Sequence, residues 1–138
     1  MNRSFFAAGF LALMGCLSLG AQSIRLQATI PFDFHIGKTL MPAGEYVVTH
    51  SEGMLWLKTY TGKPKAANVI VHGTQKGSNG GTSNKLVFNR YGEEYFLSRV
   101  YQLGETTGLA VPPGKIEKEM IAGRTAPVQT AAVNLRAQ

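Results

Sequence analysis

The run TIPFDFHIG, residues 29–37, alternates without a break. Ile30, Phe32, Phe34 and Ile36 fall on one face of an extended strand, and Thr29, Pro31, Asp33 and His35 fall on the other. A period of two commits the segment to a sheet with one apolar face, because a one-residue slip would turn all of those apolar side chains to water. Pro31 has no N–H to give to a ladder, so the strand lies at an edge or breaks there.

The same period recurs along the chain in short runs separated by turn residues. Pro42, Ala43 and Gly44 form a turn, and Tyr46 and Val48 open a second strand that runs to about Ser51. Gly53 turns the chain into MLWLKTY, where Leu55 and Leu57 oppose Trp56; so short a connection pairs the two strands antiparallel. AANVIVHG is a fourth strand, with Val69 and Val71 on one side and Ile70 on the other. GTQKGSNGGTSN, residues 73–84, has no apolar periodicity and reads as a flexible loop. KLVFNRY and EYFLSRVYQL are the fifth and sixth strands, joined by a hairpin centred on Gly92. The cluster NRYGEE between them is read as a turn with solvated carboxylates, in which Arg90 pairs with one of the glutamates.

After VPPG the pattern changes. Ile116 and Met120 share a face at helical spacing, which predicts one or two helical turns. The stretch 124–138 is small, polar and weakly periodic, and is expected to be a mobile tail or at best a late edge strand. The fold class is therefore all-β: a single small antiparallel barrel or sandwich of about six or more strands, with a short helical segment near the C-terminal end. No internal repeat or second domain is visible, and the β domain is expected over residues 22–123.

The first 21 residues form a different kind of segment. Arg3 precedes an apolar run from Phe5 to about Leu19, and small residues follow at Gly20 and Ala21. That is the layout of a secretory signal peptide, with cleavage expected after Ala21. The apolar run is short for a membrane span, which needs roughly 20 residues. LMGC, residues 13–16, also resembles a bacterial lipobox, so lipidation of Cys16 and a membrane anchor stand as the minor alternative. If Cys16 leaves with the leader, the mature chain holds no thiol, hence no disulfide and no thiolate site. The expected location is periplasmic or extracellular.

Fourteen Lys and Arg against 8 Asp and Glu give a net charge of +6. The cations are spread among apolar and small residues instead of forming a patch or arm, which argues against nucleic acid as a partner. Catalytic signals are weak. Asp33 and His35 share a strand face, but His50 and His72, the only other histidines, lie near strand ends at no metal-ligand spacing, so neither a metal nor another cofactor is expected. No serine sits in a nucleophile elbow, and the Gly-rich loop lacks phosphate-cradle order. Glu93 and Glu94 are adjacent and diverge across a sheet, so they cannot flank one glycosidic bond.

The aromatic residues offer more. Trp56 points away from the apolar face of its strand, and Tyr60, Tyr91, Tyr95 and Tyr101 are candidates for partial exposure. Near cations such as Arg90 they would make a platform for a sugar or an acidic envelope polymer, or else serve as core and rim packing. Trp56, Tyr60, Tyr91, Tyr95 and Arg90 are the candidate ligand-binding residues.

Three segments, ATIPFDFHIGKTLMPAGEYVV, KLVFNRYGEEYFLSRVY and TGLAVPPGKIEKEM, together give the chain a family likeness. It resembles a family of small secreted proteins of soil bacteria with the pattern VPFDFxVG, LPAGxYxV and LVFxRYGxxYFL. The resemblance spans about residues 28–120; VPPGK stands here where the family pattern has LPxSK. It implies export and a compact β domain, and it carries no established activity from which a site could be transferred. The functional expectation is an exported, non-catalytic binding or structural module of the cell envelope, with an envelope polymer, lipid or protein as partner. The alternative is a small secreted hydrolase, or a carrier of a small apolar ligand in a barrel cavity.

Overall fold

Pro31 splits the first alternating run. The computed structural model describes residues 24–73, 84–101, 108–123 and 128–137. In it β1 (Ile24–Ile30) stops before the proline, and β2 (Phe34–Ile36) resumes after it. The Asp33 carboxylate in the connection accepts the Ala43 N–H at 2.8 Å, which ties the break to the next turn. The alternation survives the break: Ile30, Phe34 and Ile36 are buried, and Phe32 packs against the same core.

The remaining strands follow in order. They are β3 (Thr39–Met41), β4 (Gly44–Ser51), β5 (Met54–Thr59), β6 (Ala66–Ile70), β7 (His72–Gly73), β8 (Lys85–Tyr91), β9 (Glu94–Tyr101) and β10 (Leu109–Ala110). Helix α1 (Lys115–Gly123) and β11 (Gln129–Ala137) complete the chain. The turns are as tight as their glycines imply. β4 and β5 are joined by Glu52 and Gly53, both at positive φ (51° and 76°), and β8 and β9 by Gly92 and Glu93, with Gly92 at φ 61°.

One continuous sheet runs β3-β2-β9-β8-β11-β1-β4-β5-β6, and β10 bridges β7 to β9. Because β7 carries on from β6 past Val71, the sheet comes back on itself and is nearly closed as a barrel. At the other level β6 and β3 end the order, and Lys65 Nζ reaches across to the Leu40 carbonyl at 2.5 Å. All ladders are antiparallel except the single parallel contact of β2 with β9 at His35 and Phe96. One sheet curled on itself decides between the two architectures left open by periodicity: it is barrel-like, not a two-sheet sandwich.

The interior is filled by inward residues of every long strand. Tyr46, Phe34, Phe88, Leu55, Leu57 and Leu86 are fully buried, and the Phe34, Phe88 and Tyr46 rings meet edge-on at 5.3–5.4 Å. Tyr46 donates its hydroxyl to the Pro42 carbonyl, so its one polar atom is satisfied inside.

One expectation about the chain's last third is corrected. Residues 129–137 are not a mobile tail or an edge strand: β11 lies between β8 and β1 and pairs antiparallel with both. Its inward residues are modest in size but meet partners of complementary bulk. Ala131 sits opposite Phe88, and Leu135 opposite Ala28. The short helix expected near the C-terminal end is present as α1, and the residue it turns inward is polar. Ile116 is 39% exposed, whereas Glu117 is buried. The outer side of β8 beneath the helix presents Asn89 and Tyr91, and a carboxylate satisfies those donors where an aliphatic side chain could not. The leader, Cys16 and most of the Gly-rich loop lie outside the described residues.

Candidate functional site

The candidate residues fall on two separate parts of the barrel. Trp56 and Tyr60 lie on β5 and just beyond it; Arg90, Tyr91 and Tyr95 lie on the β8–β9 hairpin, with β11, β1 and β4 between the groups.

The hairpin group is mostly structural. Tyr95 stacks on Phe32 with ring centroids 3.8 Å apart and planes 12° from parallel, and the Arg90 guanidinium lies 5.4 Å from the Tyr95 centroid. Arg90 Nε also donates to the Gly92 carbonyl at 2.8 Å, and its Nη2 lies 3.8 Å from the exposed Glu93 carboxylate. The arginine thus fastens its own turn. Tyr91 donates its hydroxyl to Glu117 Oε1 at 3.2 Å, and Asn89 Nδ2 donates to the same oxygen at 3.2 Å, so Tyr91 anchors α1.

Beside them, His35 Nε2 and Glu94 Oε2 are 2.7 Å apart, and the imidazole stacks on Phe96 at 4.6 Å. Asp33 does not join His35: its carboxylate is occupied by the Ala43 N–H. Among the described residues no three His, Cys, Asp or Glu side chains come together as a metal site.

Trp56 and Tyr60 belong to a different environment. The outward residues of β5 are Trp56 and Lys58, and Tyr60 follows, its N–H donating to the Glu45 carbonyl at 2.8 Å and so extending the ladder. Trp56 is 39% exposed and Tyr60 55% exposed. The register places Arg25, Thr49 and Trp56 in one row across β1, β4 and β5, and Gln27, Val47 and Lys58 in the next. From Val47 onward the outward residues of the middle strand are short: Val47, Thr49 and Ser51. Their neighbours on both flanks are long. The result is an open trough of about 560 Å³ whose floor is β4 and whose walls are Trp56, Lys58 and Tyr60 on one side and Arg25 on the other.

Its chemistry is limited and specific. Two aromatic rings supply stacking surface, Thr49 and Ser51 supply hydroxyls, and Arg25 and Lys58 supply positive charge; among the described residues no Asp, Glu or His lines it. The trough can hold a ligand by stacking on its ring faces, by hydrogen bonds to its hydroxyls and by attraction of anionic groups to its cations.

Sequence reasoning identified Trp56 and Tyr60 by their outward phase. It missed Arg25, Lys58 and the short floor of β4, because their convergence depends on the order β1-β4-β5. Among the described residues no helix is long and apolar enough to cross a membrane. Comparison with protein-family models, with curated proteins and with solved structures finds no match.

Proposed function

We propose that the chain is an exported, non-catalytic binding module of the cell envelope, and that its ligand surface is the trough on the outer face of β1, β4 and β5. The observation that carries this reading is the pairing of two exposed aromatic rings, Trp56 and Tyr60, with Arg25 and Lys58 over a floor of short side chains. Large aromatics left half in water on a strand face cost apolar exposure that a ligand would recover. Absence of a carboxylate or imidazole from the trough lining favours binding over hydrolysis. The barrel interior, occupied by Tyr46, Phe34 and Phe88, disfavours the role of a carrier with an internal ligand.

The test is retention of the mature protein, residues 22–138, on insoluble envelope material. Trp56→Ala and Tyr60→Ala should each release it, while Tyr91→Phe, on the other side of the barrel, should leave retention intact. Undiminished retention of both trough variants would overturn the assignment.

A further inference from the structure

We propose that the occupant of the trough is an extended, linear acidic polysaccharide with carboxylates on its sugar rings, lying along β4. This rests on the trough being the ligand surface and names the ligand class.

Shape sets the first constraint. The trough follows β4 along its outward residues Val47, Thr49 and Ser51. At about 3.4 Å per residue that is about 14 Å of strand, with walls one strand spacing, about 4.8 Å, to either side. A compact ligand would use only part of it; a linear polymer would use its length. Trp56 and Tyr60 are four residues apart on one face, so their Cα atoms are about 13 Å apart along β5. Two ring platforms at that separation fit a chain of rings, with unstacked units between them over Lys58.

The second constraint is how recognition must occur. β4 is paired on both sides, with β1 and β5, so it has no free ladder to offer. An extended peptide gains most of its affinity by adding to an unpaired sheet edge, and this surface is a sheet face. Recognition must come from side chains alone: ring faces, hydroxyls and cations. Sugar rings present apolar faces and hydroxyls, which match Trp56, Tyr60, Thr49 and Ser51.

Charge completes the assignment. Arg25 and Lys58 line the trough, and no carboxylate does. Glu45, the next outward residue on β4 beside Tyr60, would repel an anion, so the acidic groups of the ligand belong toward the Arg25 end. Single-stranded nucleic acid also stacks on aromatics, but it carries a charge at every nucleotide and is held in strongly positive grooves. Two cations with a glutamate at one end suit a polymer of sparser charge.

Calorimetric titration of the mature protein tests this with three probes: short oligomers of galacturonate, of mannuronate and of hyaluronan. Each is run beside its carboxyl-reduced neutral counterpart, and oligodeoxythymidine of similar length is run as a separate arm. At least one acidic oligomer should bind about tenfold more tightly than its neutral form and than the oligonucleotide, and lose that preference as salt rises. Arg25→Gln with Lys58→Gln should remove the preference. Trp56→Ala should weaken binding about tenfold and Trp56→Phe should restore most of it, which separates stacking from charge. Thermal unfolding of each variant confirms the fold. Equal affinity for neutral and acidic oligomers, or tighter binding of the oligonucleotide, would overturn the ligand class. So would failure of every oligomer while Trp56→Ala still releases the protein from envelope material, but that result leaves the ligand surface standing. If Trp56→Ala changes neither measurement, both readings fall.

Discussion

His35 and Glu94, separated by 59 positions in sequence, meet at 2.7 Å across the one parallel contact among the described strands. The pair adds a side-chain link between the short β2 and β9, whose ladder contact is the one pairing of His35 with Phe96. The neighbouring Glu93 has a side chain 95% exposed and only the long contact to Arg90. Adjacent glutamates thus have unequal structural roles. Glu94→Ala should lower stability by about 1 kcal/mol, while Glu93→Ala should stay within about 0.5 kcal/mol of the parent. Urea denaturation midpoints of the two variants compare them directly.

Glu117 is a buried carboxylate, and the donors described for it, Asn89 and Tyr91, are neutral. Removing either donor leaves a buried acceptor short of a partner. Asn89→Ala and Tyr91→Phe should each cost about 1–3 kcal/mol. In a Glu117→Met background the same changes should cost much less, because the carboxylate that needed them is gone. A double-mutant cycle from equilibrium unfolding measures that coupling.

Glu52 occupies the left-handed region at φ 51° in the β4–β5 turn, ahead of Gly53 at φ 76°. Asparagine tolerates that conformation better than glutamate and suits the first position of this two-residue turn. Glu52→Asn should raise stability by about 0.5–1 kcal/mol. An unchanged or lower thermal midpoint would contradict it.

Burial, and secondarily the Asp33 carboxylate, push the Tyr46 hydroxyl above its usual titration range. The folded state therefore holds the tyrosine proton more tightly than the unfolded chain does. The stability this brings is complete below about pH 10, the unfolded value, and declines as the pH rises toward the folded value. Tyr46→Phe should lose about 1 kcal/mol at neutral pH with the Pro42 hydrogen bond. It should also show a shallower loss of stability above pH 10 than the parent, measured by urea unfolding at fixed pH.

The export proposed above predicts a defined product. On that proposal, the apolar stretch followed by Gly20 and Ala21 predicts cleavage before Gln22. Intact mass of protein recovered outside the cytoplasm should correspond to residues 22–138. A lipid-modified species beginning at Cys16 would instead make the protein membrane-anchored.

The strands legible in sequence were those whose inward positions are large. Leu55 and Leu57, or Leu86 and Phe88, declare a face without reference to a partner. β11 was not legible because Ala131 and Val133 declare little alone; Ala131 gains its place on the inward face only opposite Phe88. β1 was read as starting at Thr29, yet it begins at Ile24, and Arg25 enters the trough from the part that was overlooked. The helix spacing of Ile116 and Met120 was visible, but the polar β8 surface beneath it was not. The Gly92 turn was local chemistry throughout, and it was read correctly. Trp56 and Tyr60 were recognisable as outward residues, whereas the trough they border exists only through strand order.

The position of β11 has a consequence for timing during synthesis. β1 is the first described strand to be made and β11 the last, and the two are neighbours in the finished sheet. The earliest segment must wait, with one long side unpaired, for residues 129–137. A product that stops short of them leaves β1 and β8 open together, two sticky edges that invite pairing with other chains. Premature termination should therefore yield material that clumps or is degraded, instead of a weakened barrel. The least conspicuous stretch of the sequence is thus the one that joins the two halves of the sheet.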